Sequence, residues 1–412
     1  MASGKVCYLS TGIMDTAFDS QVMPVIRRTL EAGFDLLHIS FDPLREKRTG
    51  RYQEKKRELE SVGIKTLYLR QAPPLTRGSL VFDVMRLYPA LRKWWHGGEG
   101  LTVHCRGHLN AYRGLLLKEK GLGRMNLVAD LRGAFADEVC QGSRGLLRNL
   151  FAQRAAGFYR EVENQVVRKA DKVLCVSNAF EKFLRRNYQV NDVSVIPTFV
   201  DTSRFTFSKT KRSFYREKLQ ISDRRALVYS GGVSPWQGIG ETADLFLNLK
   251  SKVENLFMLF LTQSPPALKR AIGDRIHPED MKVIHVPHRE VAGYLCAADT
   301  GVLLREDTLT NRVASPIKFS EYMCCGLPCI VSEGIGDTAE VIQKGDAGIV
   351  LSSGATPSLS EIEKLLSLDR EEISKSMVKC FSSEIYLPEI LSFYEASGEG
   401  GGASGNLNEV QP

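Results

Sequence analysis

Short apolar runs rich in Val, Ile and Leu alternate with stretches of helical periodicity along nearly the whole chain. Lys5–Ser10 reads as a strand. A helix follows from about Asp15, with Val22, Val25, Ile26 and Leu30 on one face and Gly33 as its stop. Further strands are predicted at Leu36–Phe41, Ile64–Leu69, Leu101–His104, Asn126–Asp130, Lys172–Ser177 and Val193–Pro197. This alternation is the pattern of parallel βαβ units. It restarts after Phe205, with strands at Ala226–Ser230, Leu256–Thr262, Lys282–Val286, Gly301–Leu304, Cys329–Ser332 and Gly348–Leu351. Two such runs predict an α/β protein of two doubly wound, Rossmann-like domains, joined near Val195–Asp201. The segment after Ser397, GEGGGASGNLNEVQP, is Gly-rich and nearly without apolar residues, and is expected to be disordered.

Composition narrows the class. With 412 residues, 43% hydrophobic and 25% charged, the chain fits two domains of about 200 residues each and is no disordered polymer. No apolar run approaches the ~18 residues of a membrane span, and MASGKVCYLS lacks the pattern of a secretory signal. Nine cysteines without paired CxxC spacing point to a reducing compartment. A cytoplasmic protein is expected.

Charge adds an asymmetry. Residues 1–200 carry 32 Lys and Arg against 20 Asp and Glu, and the remainder carries 23 against 28. A basic first half suits an anionic partner such as a phosphorylated acceptor or the inner face of a membrane. Arg86–Trp95, with Trp94 and Trp95 beside Arg92 and Lys93, is a candidate contact, or else an amphipathic helix covering the sheet.

Several chemistries are disfavoured. Gly238-Ile-Gly240-Glu-Thr-Ala243 and Gly334-Ile-Gly336-Asp-Thr-Ala339 match the dinucleotide pattern. The first starts well beyond its strand, and neither has a ribose-binding acid at the required distance, so ordinary βα turns account for both. There is no P-loop, no Asp-x-Asp pair and no G-x-S-x-G elbow. His104-Cys105-x-x-His108 and His285-x-x-His288 lack further ligands in sequence, and no metal is expected.

The informative segment is Ala314-Ser-Pro-Ile-Lys-Phe-Ser-Glu-Tyr-Met-Cys-Cys-Gly-Leu-Pro328. Ser315 is placed to cap a helix and Pro316 to occupy its first turn, while Gly326 and Pro328 end it before the next strand. Lys318 and Glu321, three apart, share a face. A helix N-terminus and a lysine at a sheet edge suit a phosphate or diphosphate, with Glu321 accepting from a sugar hydroxyl. A capped helix with an i,i+3 ion pair explains the same residues equally well.

Ala314–Pro328 resembles the nucleotide-sugar signature of the GT-B glycosyltransferases, specifically retaining family 4. Other stretches fall in that family's order: Ala170–Ser177, Ser194–Phe205, Val228–Gly232, Tyr294–Asp299 and Phe381–Tyr394. The resemblance implies two facing domains, with 1–200 on the acceptor side and 206–380 binding a nucleotide-sugar, and a helix 384–396 returning to the first. It also implies transfer with retention, without a cofactor or metal, from a nucleotide-diphosphate sugar to a saccharide or lipid-linked acceptor in envelope polysaccharide assembly.

There are departures from the family. The loop G-R-x-x-x-x-K-G, whose cations hold the diphosphate, is here Gly231-Gly-Val-Ser-Pro-Trp-Gln-Gly238, so Gly232 and Gln237 replace both. The phosphate charge must then be met by Arg305, Arg312 and Lys318 around the signature helix. Gly12, Ser315, Pro316 and Ile317 complete the expected donor contacts, with Trp236 stacking and the base read near His288. Of the family's glutamate pair, Glu321 survives alone, because Val313 occupies the other position. Where the family has a histidine after the fifth strand, this chain has Arg132. An arginine stabilises charge but cannot act as a base. Asp130 and Glu138 are the candidates to take a proton from the acceptor, and His104, Arg106 and His108 are expected to line the acceptor side. The competing readings are a GT-B nucleotide-sugar epimerase, a non-catalytic nucleotide-sugar-binding subunit and, remotely, a nicotinamide dehydrogenase.

Overall fold

Strands with apolar residues on both faces belong to parallel sheets covered by helices on each side, and the second half shows this most clearly: all six residues of Leu256–Leu261 are buried. The structure, a computed structural model, describes residues 4–15, 17–71, 76–97, 100–122, 125–141, 146–190 and 192–395, except for the side chains of 141, 146–152 and 235. The segment after Ser397 lies outside these residues.

In chain order the strands are β1 (Lys5–Thr11), β2 (Asp35–Asp42), β3 (Thr66–Arg70), β4 (Leu101–Arg106), β5 (Met125–Asp130), β6 (Lys172–Cys175) and β7 (Val193–Val195). They are followed by β8 (Arg225–Ser230), β9 (Leu256–Leu261), β10 (Met281–Ile284), β11 (Thr300–Leu303), β12 (Cys329–Ser332) and β13 (Gly348–Leu351). The first seven form a sheet of order β3-β2-β1-β4-β5-β6-β7 and the other six a sheet of order β10-β9-β8-β11-β12-β13. The pairings of β1 with β2 and β4, and of β8 with β9 and β11, are parallel. The α/β architecture of two doubly wound sheets is therefore as read from the sequence. Each order reverses once, between β1 and β4 and between β8 and β11. Ligands of such sheets bind beyond the carboxyl ends of the strands at these reversals.

The chain divides into two compact units that interleave in sequence. One comprises Met1–Asp130, Lys169–Val173 and Leu387–Pro412; the other comprises Leu131–Arg168 and Leu174–Tyr386. In the first, the helix Ser383–Glu395 supplies its later turns: Asn126 Nδ2 donates to the Phe393 carbonyl at 2.9 Å, and the Lys172 ammonium lies 4.7 Å from the Phe393 ring centre.

Local differences have local causes. The expected helix from Asp15 is a π-turn over Phe18–Val22 that becomes α-helical at Met23–Glu31. Pro24 lacks the amide hydrogen that would bond to the preceding turn, so the α-ladder starts with it. Trp95 and Trp94 are not surface anchors. Trp95 is buried, and Trp94 is half-buried beneath Lys5, whose ammonium is 5.0 Å from its ring centre. All nine cysteines are unpaired. Among the described residues no helix is long and apolar enough to cross a membrane.

Candidate functional site

In the second unit, the reversal between β8 and β11 gathers the residues of the signature segment. Ser230 ends β8, and its amide donates to the Tyr322 hydroxyl at 2.7 Å, tying the helix Ile317–Cys324 to the strand end. Gly231 follows with φ +146°, and a Cβ there would lie 2.7 Å from Lys318 Nζ. The glycine is needed for that approach. Lys318 Nζ donates to Gln237 Oε1 at 2.7 Å and stands 4.1 Å from the centre of the Tyr229 ring. Burial lowers the Lys318 pKa well below the usual lysine range, the field of Arg305 adds to this, and Glu321 opposes it.

Arg305 follows β11. Its Nη1 donates to Asn311 Oδ1 at 3.1 Å, and its buried Nε has no partner. Burial brings this guanidinium down to about 10, against the opposing fields of Tyr229 and Glu138. Neither Lys318 nor Arg305 forms an ion pair with a carboxylate among the described residues. Two sequestered cations side by side without an anion are a costly arrangement for a protein alone. They are a ready one for a dianion.

The i,i+3 ion pair of Lys318 with Glu321, the alternative reading of the segment, is not made. Lys318 turns to Gln237, and Glu321 Oε1 meets His288 Nε2 at 3.0 Å. His288 opens the helix His288–Ala297, so its ring, and not only its backbone, belongs to the site. Ser315 is not the helix cap. Pro316 holds that position without a side-chain bond, before Ile317 at the first helical residue. The Ser315 hydroxyl instead accepts from the Thr198 amide at 3.0 Å and pairs with the Thr198 hydroxyl at 2.9 Å, satisfying the chain after β7.

Arg312 also departs from expectation: it is exposed, and its guanidinium is held by Asp307 at 2.5 and 2.7 Å. Trp236 sits in the turn Pro235–Gln237, where its carbonyl accepts from Asn311 Nδ2 at 3.5 Å. Gly232 is open, and its carbonyl accepts from the Tyr229 hydroxyl at 2.6 Å. Glu138 lies on the helix Phe135–Gln141, which packs on the turn Leu309–Arg312, and its Oε1 is 2.8 Å from where a Gly133 Cβ would be. Arg132 precedes that helix, and its field acts on Cys175.

Both glycine-rich motifs are packing devices. A Cβ on Gly238 would lie 2.1 Å from the Leu304 carbonyl oxygen, and one on Gly336 would lie 1.8 Å from that of Ala314.

In the first unit the reversal between β1 and β4 carries Gly12, with φ +70°, and Arg106. Arg106 Nη1 donates to Asp130 Oδ2 at 3.3 Å, and His104 Nε2 is 3.6 Å from the same oxygen. His104 is no lining residue. It is buried, stacked on Tyr8 at 4.6 Å between ring centres, with Nδ1 2.7 Å from the Tyr394 hydroxyl. His108 is buried at the start of the helix His108–Glu119.

Sequence reasoning missed two groups. Asn311 is fully buried, donates to the Glu306 carbonyl at 2.9 Å and holds both Arg305 and Trp236. In the first unit, Asp83 holds Arg113, Arg113 holds Asn110, and Asn110 Nδ2 reaches Thr11 Oγ1 at 3.0 Å beside Gly12. The sole sequence signal was polar residues at core-facing positions.

The fold and the placement of these sites define a GT-B architecture. The family model described as Glycosyltransferase Family 4 matches residues 48–204, and that described as Glycosyl transferases group 1 matches residues 224–367. The chain belongs to these family 4, group 1 glycosyltransferases and is a glycosyltransferase. No curated protein matches it.

Solved structures share the fold at low identity. Sucrose-phosphate synthase from Thermosynechococcus elongatus is 14% identical, covering 95% of this chain and 98% of that one, with a TM-score of 0.69. HepE from Anabaena in complex with UDP-glucose is 15% identical, covering 94% and 99%, with a TM-score of 0.65. WaaG, a glycosyltransferase involved in lipopolysaccharide biosynthesis, is 14% identical, covering 96% and 100%, with a TM-score of 0.63.

Proposed function

We propose that the enzyme transfers a sugar, with retention, from a nucleotide-diphosphate sugar to a saccharide or lipid-linked acceptor in envelope polysaccharide assembly, without a metal. The observation that carries this reading is the pair Lys318 and Arg305, two sequestered cations that no carboxylate contacts among the described residues, at the reversal of the second sheet. A diphosphate supplies the missing charge. The complex of HepE with UDP-glucose makes a UDP-sugar the first donor to test, and the description of WaaG supports an envelope acceptor.

As the bond from the anomeric carbon to the diphosphate oxygen breaks, negative charge grows on that oxygen. Lys318 and Arg305, already placed, stabilise it without reorganisation. Glu321, oriented by His288, accepts from a donor hydroxyl. Asp130 is held by Arg106, and Glu138 is set beside Gly133 in the field of Arg305, so neither fits the proton acceptor. The acceptor proton passes instead to the departing diphosphate oxygen while the acceptor oxygen bonds the anomeric carbon on the same face.

A thermal-shift series with UDP, GDP, ADP and CMP and their sugar conjugates tests the reading. At 100 times its dissociation constant a true ligand adds about 2.7 kcal/mol, a rise of several degrees. No shift with any diphosphate would favour a non-donor role for the two cations.

A further inference from the structure

The helix Arg77–Trp95 in the first unit has two faces of different chemistry. Leu80, Val84, Leu87, Leu91 and Trp95 are buried in the core, and Asp83 is sealed in an ion pair with Arg113 at 2.7 Å. That aspartate is the one carboxylate between residues 77 and 97. The outward stripe runs through 82, 85, 86, 89 and 93, positions that helical periodicity places along one line. Phe82 is 54% exposed and Met85 58% exposed, and Arg86, Pro89, Arg92 and Lys93 are exposed with them. The Arg86 guanidinium lies 5.7 Å from the Phe82 ring centre.

Neighbouring elements add cations. Lys120, after the helix His108–Glu119, stands 6.0 Å from the Tyr88 ring centre. Lys47 lies close enough to Arg86 to feel its field, which adds to burial in lowering the Lys47 pKa, while Asp42 opposes. Gathering like charges on one face adds nothing to folding, and large apolar side chains between them gain nothing from water.

We infer that this stripe is a docking face for an anionic lipid bilayer, with Phe82 and Met85 entering the acyl boundary and Arg86, Arg92 and Lys93 meeting lipid phosphates. Charge complementarity selects the lipid. The two apolar side chains set among the cations favour a bilayer over a purely polyanionic partner such as nucleic acid, which offers nowhere to bury them. The inference deepens the reading of a lipid-linked acceptor but stands on a surface apart from the donor cations.

The test is co-sedimentation of the full chain with phosphatidylcholine vesicles, with and without about one third phosphatidylglycerol. Binding is expected with the anionic vesicles only and is expected to fall in 0.5 M salt. Phe82→Ser with Met85→Ser, and separately Arg86→Glu with Lys93→Glu, should each lower partitioning on the order of tenfold or more. All four positions are exposed, so an unchanged melting temperature and an unchanged UDP-induced shift verify the fold and separate this test from that of donor binding. Binding equal on neutral vesicles, or no binding, overturns the inference. So does loss in the charge-reversal variant alone with capture of a single-stranded oligonucleotide.

Discussion

Lys318→Met separates the functional from the structural account of the buried lysine. Methionine keeps the length and apolar stem of the side chain but removes the ammonium that Gly231 admits and Gln237 holds at 2.7 Å. Gln237 is only half-buried, and the Tyr229 hydroxyl is already committed to the Gly232 carbonyl at 2.6 Å, so solvent takes the place of the ammonium at Gln237 Oε1. Losing one preorganised contact to the departing oxygen costs about 2.7–4 kcal/mol in the transition state, or about 10²–10³ in kcat. The unliganded fold should not suffer, because a desolvated cation without an anion opposes folding. The sign of the pH effect follows. The folded-state pKa is lowered, so the unfolded chain binds more protons in the window below the ordinary lysine value of 10.5. Wild-type stability therefore gains as pH rises through that window, with a slope of up to about 1.4 kcal/mol per pH unit from this group, and the variant lacks this component. Urea unfolding at stepped alkaline pH, with initial rates of sugar transfer, reads both. A variant that melts several degrees lower while keeping wild-type turnover would refute the reasoning and make Lys318 a packing residue.

Three further outcomes are expected. Gly231→Ala puts a Cβ 2.7 Å from Lys318 Nζ at a φ of +146°; calorimetry should show donor affinity lowered about tenfold or more, with a stability loss of about 1–3 kcal/mol. Arg312→Ala removes an exposed side chain already held by Asp307, so kcat/KM should stay within about twofold, and a large loss would return Arg312 to the phosphate site. Transfer measured after EDTA dialysis should equal the untreated rate, and restoration by added magnesium would overturn the metal-free reading.

The strands were legible because parallel sheets buried on both faces require continuous apolar runs, and Leu256–Leu261 needs no context to be recognised. The signature segment was legible as a helix at a sheet edge. The partners of its charged residues were not. Spacing along a helix places Lys318 and Glu321 on one face, yet their partners come from Gln237 and His288, which only the tertiary structure brings near. Arg305 and Arg312 show the same limit: two arginines follow one strand, and a local aspartate takes one of them. His104, at the end of a strand predicted from sequence, reads as an acceptor-side residue, but Tyr8 and Tyr394 enclose it, and Tyr394 is far along the chain. Asn311 escaped notice because an asparagine in a turn ordinarily serves only the turn.

That enclosure also bears on the order of synthesis. His104 receives Tyr394 at 2.7 Å, Phe34 meets the Tyr394 ring edge-on at 5.8 Å between centres, and Asn126 bonds to the Phe393 carbonyl. A nascent chain emerges N-terminus first. The unit whose strands leave the ribosome earliest therefore waits for a turn that follows the whole second sheet before its core is closed. A premature stop shortly before residue 390 would leave the second sheet entire and the first unit open around His104, so such a truncation should be recognised as misfolded from its beginning, not its end.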